Sequence, residues 1–335
     1  MVTMASSMAQ GFRLTRVTLV AVLLVGSAAI STSCGSGQTD GSRRFLSLGT
    51  AGTGGIYYPL GGAIASRLSV ADPRHQYTAE VTGGSVENVN RVVNGEMDFG
   101  FSMATTVYEA YSGGSDYPEP LKTLRIIAPL YPNVTHVLVS RSSKAGSIAD
   151  LAGQRVSVGP PGSGTEQLAR QVLEAYDISY EDIETRYLSF SESANALRDG
   201  AIDAALISVG YPAAAVLEAT TTGDARILQI DSATQQLLAR RYPYYAPGKI
   251  PAHAYPGVAT DIPTVAVMNW IVGTDALDGT VVRLLLDILR DQRDQLIQVN
   301  AIANQIRIEA LLTAPIPLHP AATAWLQEQG TRTEF

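Results

Sequence analysis

Short apolar runs, glycine-rich turns and stretches of helical period alternate along this chain. Residues 45–50 predict a strand, the glycines between 49 and 55 a turn, and 57–68 a helix, which together make one β-turn-α unit. A second strand over 77–81 meets Gly83 and Gly84. Ser85 is then placed to cap a helix whose Val86, Val89, Val92 and Val93 share one face, with Glu87 in the first turn where the helix dipole favours an acid. Asn94 and Gly95 stop that helix, and 97–101 form a third strand.

The same order returns about 105 residues later. A strand over 155–158, a glycine-rich turn over 159–164 and a helix from Thr165 are followed by a strand over 186–188, Ser191, a helix through Ala194 and Leu197, the stop Asp199-Gly200 and a strand over 202–207. The turns NGEMD (94–98) and DGAID (199–203) are equivalent. Strands alternating with helices imply parallel sheets flanked by helices, with ligands beyond the carboxyl ends of the strands. At those ends the loops 52–55, 83–85, 162–165 and 189–191 each place backbone N–H groups at a helix start, which suits an anion. The expectation is an α/β protein of two lobes joined by a hinge, the chain crossing near 131–136 and near Val272: residues 45–133 and 273–335 form one lobe, 134–272 the other. A loop rich in tyrosine and proline over 242–256 stiffens or lines the cleft, and a strand over 264–272 precedes a helix over 280–299.

With 335 residues and 46% hydrophobic against 16% charged residues, the chain is long enough for two ordinary domains and has a globular balance. The first 34 residues stand apart: Arg13 and Arg16 precede an apolar run over 17–30 that ends in small residues and Cys34, the layout of an export signal. The run is shorter than the ~20 residues a membrane-spanning helix needs. Cys34 is the only cysteine, so it forms no internal disulfide, and its place points to lipid attachment, with 35–44 as a flexible tether. Removing the leader takes two arginines and moves the formal charge from -7 to -9. With no basic stripe, nucleic-acid binding is disfavoured.

Enzyme chemistry is hard to place. The loop over 159–165 imitates a phosphate-binding loop, but Glu166 follows it and the lysine that contacts the phosphates is absent, and the glycines of 49–55 miss dinucleotide spacing. His75, His136, His253 and His319 are isolated, no G-x-S-x-G elbow occurs, and paired acids such as Asp291 and Asp294 lie in polar helical surroundings. No catalytic group, metal site or cofactor is predicted.

The strings GTAGTGGIYYPLG (49–61), VTGGSVEN (81–88), LYP (130–132) with His136, VSVGPPGSGTE (156–166), YPYY (242–245) and IPLHP (316–320) resemble the TAXI family of solute-binding proteins of TRAP transporters. The resemblance implies a type II periplasmic-binding-protein fold, extracytoplasmic capture of glutamate, glutamine or a related carboxylate, and a TRAP permease as membrane partner. The alternative is a sensor that docks on a membrane kinase. On one wall Thr53, Gly54, Gly55, Tyr57, Ser85 and Asn88 are the candidate ligand contacts, and on the other Gly162, Ser163 and Thr165. Ser102, Met103, Gly210 and Tyr211, just past two central strands, are further candidates. None of these loops carries an arginine, so no bidentate clamp is expected.

Overall fold

The computed structural model describes residues 44–330, apart from 115 and 224; Cys34, the leader and all but the last residue of the tether lie outside the described residues. In chain order the first elements are β1 (Arg44–Gly49), α1 (Tyr57–Ala71), β2 (His75–Glu80), α2 (Ser85–Val93), β3 (Phe99–Met103) and α3 (Ala104–Ser112). The long strand β4 (Leu124–Val139) leads to β5 (Arg155–Ser157), α4 (Gly164–Glu174), β6 (Glu184–Arg186), α5 (Phe190–Arg198) and β7 (Ala204–Val209). Then come α6 (Ala214–Thr221), β8 (Arg226–Leu228), α7 (Ser232–Arg241), β9 (Tyr245–Ile250), β10 (Ile262–Thr274), α8 (Gly279–Asp291), α9 (Arg293–Ile297) and α10 (Pro320–Gly330).

The strands form one sheet in the order β2-β1-β3-β10-β4-β7-β5-β6, with β8 on β4 and β9 on β10. Each outer triplet, β2-β1-β3 and β6-β5-β7, is parallel, and the two long strands between them run antiparallel to their neighbours. Every residue of β3 and of β7 is buried, as expected of strands covered by helices on both faces. The helices show why: α2 buries Asn88, Val89 and Val92 at helical spacing, and α4 buries Leu168, Ala169, Val172 and Leu173.

The internal repeat reaches individual hydrogen bonds. Gly95 and Gly200 follow α2 and α5 in the left-handed region, at φ 74° and 68°, where a side chain is disfavoured. Three residues on, each copy places an aspartate against the first strand of its own half. Asp98 Oδ2 accepts from the Ser47 amide at 2.7 Å, and Asp203 Oδ2 accepts from the Arg155 amide at 3.0 Å. This explains why β3 starts at Phe99 and not at Met97: Asp98 is turned aside to hold β1.

β4 and β10 pair from Leu124 with Thr274 to Val134 with Ala266 and carry the chain between the triplets. The second crossing falls at 267–269, not at Val272, because Asn269 to Val272 of β10 are already paired with β3. Two further expectations are corrected. The tyrosine-rich segment contains a strand, β9, whose residues pair with β10. The helix expected over 280–299 breaks at Gln292, whose φ of -114° and ψ of 19° leave the helical region.

His136 of β4 is fully buried. The Tyr255 hydroxyl accepts from the Ala213 amide at 3.1 Å, so its own proton faces His136 Nε2 at 3.1 Å, leaving Nδ1–H to donate to the Ile207 carbonyl at 3.3 Å. Burial pushes the imidazole down to about 4 from 6.5. Because the folded value lies below the unfolded one, this stability is complete above pH 6.5 and is lost as the pH falls toward 4. Acid denaturation followed by circular dichroism should show a loss on the order of 3 kcal/mol from this group across that window. His136→Gln should flatten that part of the slope, and an unchanged slope would exclude His136 as its source.

Candidate functional site

Four strand ends, those of β1, β2, β5 and β6, feed loops that open on one cavity of about 350 Å³, which is within the ~300–1,000 Å³ usual for small-molecule sites. One wall comes from Ala51 to Tyr57, Val81 and Gly83 to Ser85; the facing wall comes from Pro160, Ser163 to Thr165 and Ser189 to Glu192. Met103, Asn133 and Val209, at or beside the ends of the central strands, complete the lining.

Three helices point their first turns at this space. Among the described residues, the N–H groups of Gly54, Ile56 and Tyr57 at α1, Gly164 and Thr165 at α4, and Phe190 and Ser191 at α5 have no acceptor within the chain. Orphan amides at a helix start, reinforced by the dipole, favour an anion. Among the described residues, no lysine, arginine or histidine lines the cavity. Its one acid, Glu192, is exposed and accepts from the Ser189 amide at 2.8 Å. The Ser189 hydroxyl, first, and its amide hold that carboxyl below the usual range.

The fourth helix differs from the expectation that every loop offers free amides. The Val86 and Glu87 amides of α2 donate across the cavity rim to the Gly162 carbonyl, at 3.1 and 3.0 Å. The Gly83 amide is taken by Glu87 Oε2 at 2.7 Å and the Gly84 amide by Thr82 Oγ1 at 3.1 Å. Ser85 is not the cap: Gly84, at φ 121°, holds that place, and the Ser85 hydroxyl accepts from the Met103 amide at 3.0 Å. The walls also meet at Gly54, whose carbonyl accepts from the Ala215 amide at 3.1 Å; a Cβ on Gly54 would lie 2.5 Å from Ser191 Oγ.

Of the residues singled out in the sequence, Thr53, Gly54, Gly55, Tyr57, Ser85, Met103, Ser163 and Thr165 line this cavity. Asn88, Ser102, Gly162, Gly210 and Tyr211 do not. Asn88 is a buried bracket: its Nδ2 donates to the Thr50 and Phe101 carbonyls, each at 2.8 Å, and its Oδ1 accepts from Thr82 Oγ1 at 2.8 Å. Ser102 is sealed beneath the strand end, Gly162 gives its carbonyl to α2, and Gly210 packs against Ile56, Tyr131 and Ile302. Ser163 lines the cavity, but its hydroxyl is occupied, donating to the Pro160 carbonyl at 2.7 Å and accepting from the Glu166 amide at 3.1 Å. Tyr57 keeps its proton, because burial raises its ionisation far above 10, and it donates to Asn269 Oδ1 at 2.5 Å.

Sequence reasoning missed Asn133, Glu192 and Val209. Asn133 is 3% exposed; its Nδ2 donates to the Ser208 carbonyl at 3.1 Å, while its Oδ1 has no donor among the described residues. A buried amide oxygen left so costs roughly 1–3 kcal/mol. The available signal was a polar residue inside the apolar run over 126–139, which an all-buried strand tolerates only with a partner.

These assignments separate bracket from cap. Asn88→Ala removes three buried hydrogen bonds, to the Thr50 and Phe101 carbonyls and from the Thr82 hydroxyl, and should lower unfolding stability by about 2–4 kcal/mol. Ser163→Ala removes one cap and should cost about 1 kcal/mol. Urea denaturation measures both, and equal losses would contradict the distinction.

Among solved structures, the chain resembles MatC from Rhodopseudomonas palustris with bound malate, at 12% identity and TM-score 0.57, covering 86% of this chain and 97% of that one. It resembles the periplasmic binding protein BugD at 12% identity and TM-score 0.53, covering 86% and 97%. It also resembles PhnD1 from Prochlorococcus marinus in complex with methylphosphonate, at 12% identity and TM-score 0.52, covering 86% and 98%. The fold is thus the two-lobed type II fold of periplasmic binding proteins. Residues 48–330, which hold every loop on the cavity and every strand but the first four residues of β1, match one family along their whole length, and the chain belongs to the NMT1-like family.

Proposed function

We propose that this chain is an extracytoplasmic solute-binding protein of the TAXI type. It takes up a small carboxylate-bearing ligand such as glutamate, glutamine or a related acid, and delivers it to a TRAP permease. Residues 1–34 direct export and Cys34 carries the lipid that tethers the protein to the membrane. The observation that supports this most is the convergence of unpaired amides from α1 on one wall and from α4 and α5 on the other. They face a space whose lining has no basic side chain. Such a site holds an anion by backbone dipoles and holds it equally from both sides, which favours binding over chemistry. MatC and PhnD1, whose structures contain malate and methylphosphonate, are consistent with an anion in this fold.

Lobe 1 is residues 45–133 with 273–335 and lobe 2 is 134–272, apart from the short paired stretch of β10 that belongs with β3. The hinge is the pair of crossings in β4 and β10, and the ligand enters when the walls part. The closed walls touch at Gly54, so a methyl group there obstructs closure while leaving an open form unhindered.

A thermal-shift screen of amino acids, hydroxyacids and dicarboxylates tests the reading. A true ligand at 100 times its Kd stabilises by about 2.7 kcal/mol, a rise of several degrees in Tm. No shift from any organic anion at millimolar concentration would refute it. With a ligand found, Gly54→Ala should raise its Kd at least tenfold in calorimetry and leave the ligand-free Tm within about 2 °C; an unaltered Kd would place the closure elsewhere.

A further inference from the structure

Asn133 sits where β4 crosses between the two triplets, its backbone held opposite Val267 of β10. The Ser208 carbonyl can only accept, so the end of the Asn133 amide that faces it is the NH₂ group, at 3.1 Å. The oxygen is therefore the other end. It has no donor among the described residues, Asn133 is 97% buried by its 3% exposure, and the residue lines the cavity. Apart from the exposed Glu192 carboxylate, already bonded to the Ser189 amide, the helix starts around the cavity have the opposite character, since α1, α4 and α5 present N–H donors. Thr135 and Ser208, opposite each other in the β4–β7 ladder, also have hydroxyls without partners, but neither lines the cavity, and a hydroxyl rotates to donate or accept. An amide oxygen cannot adapt in that way.

We infer that Asn133 is a specificity-determining residue that accepts a hydrogen bond from a hydroxyl or amino group of the ligand. The ligand class is then a carboxylate bearing an O–H or N–H donor, and the same skeleton with that donor replaced by hydrogen or by a keto oxygen is discriminated against. This rests on the anion-binding reading above and adds the second half of the ligand. A donorless analogue leaves the Asn133 oxygen buried and unpaired, and a keto oxygen additionally opposes one acceptor to another. Sites built to pair a ligand hydroxyl discriminate strongly for this reason.

The test is calorimetry of the full mature chain with matched sets: L-glutamate and 2-hydroxyglutarate against 2-oxoglutarate and glutarate, and L-malate against oxaloacetate and succinate. In whichever skeleton binds, the donor-bearing members should bind at least about 100-fold more tightly than the donorless ones. Asn133→Leu should shrink that gap to below about tenfold while changing the affinity for the donorless acid only a few-fold. Equal binding by donor-bearing and donorless members, or a gap that Asn133→Leu leaves intact, overturns the inference while sparing the anion site. Binding by no member overturns both. Asn133→Ala replaces Asn133→Leu if the latter does not fold, and the comparison in the unaltered protein stands without either variant.

Discussion

The ladder between β4 and β10 is the constraint on which the rest of the molecule depends. The two strands, sixteen and thirteen residues long, pair from Leu124 with Thr274 to Val134 with Ala266, and each is hydrogen-bonded to a different triplet, β4 to β7 and β10 to β3. An antiparallel pair of this length fixes the distance and twist between the triplets, and so decides which loops face one another. The four strand ends that feed the cavity are useful only because this pair sets them on opposite sides of the same space. Asn133, which lines the cavity, lies within the ladder near its crossing, so part of the cavity lining belongs to the element that joins the halves.

Around that ladder the same local solution is used twice. In each half a glycine in the left-handed region ends a helix, and an aspartate three residues later reaches back to the amide of the half's first strand. In the second copy the guanidinium of Arg155 adds two contacts to Asp203, at 2.9 and 2.8 Å, and holds that carboxyl below its usual range. The two triplets thus share a backbone plan but not its side-chain reinforcement. Local chemistry of this kind is visible in a sequence, because the cap, the stop and the aspartate lie within a few residues of each other.

The parts of the site that were legible in the sequence are those written in local spacing. The loops over 52–55, 162–165 and 189–191 were found from glycines and serines ahead of a helical period, and the structure sets them around one space. What was not legible depends on partners far away along the chain. Nothing near Ser85 reveals that its hydroxyl is claimed by the Met103 amide, or that a carbonyl from Gly162 will occupy the start of its helix. Asn88 was a candidate through the resemblance, at the end of the string over 81–88, yet its three partners lie outside its own helix and make it a bracket. Asn133 failed in the opposite direction: it lay in the stretch read only as a chain crossing, and its oxygen, free among the described residues, follows from where the Ser208 carbonyl lies.

The Gly162 carbonyl at the start of α2 bears on the proposed transport cycle. A carbonyl oxygen carries partial negative charge, so the loop after β5 brings its own small surrogate for an anion and sets it on the dipole of α2 across the cavity rim. Shutting the two walls is therefore rewarded whether or not cargo is present. A permease that recognised the shut shape alone would dock empty carriers, and a coupled transporter with this partner needs a second criterion, such as the lifetime of the shut state, to avoid idle turnover.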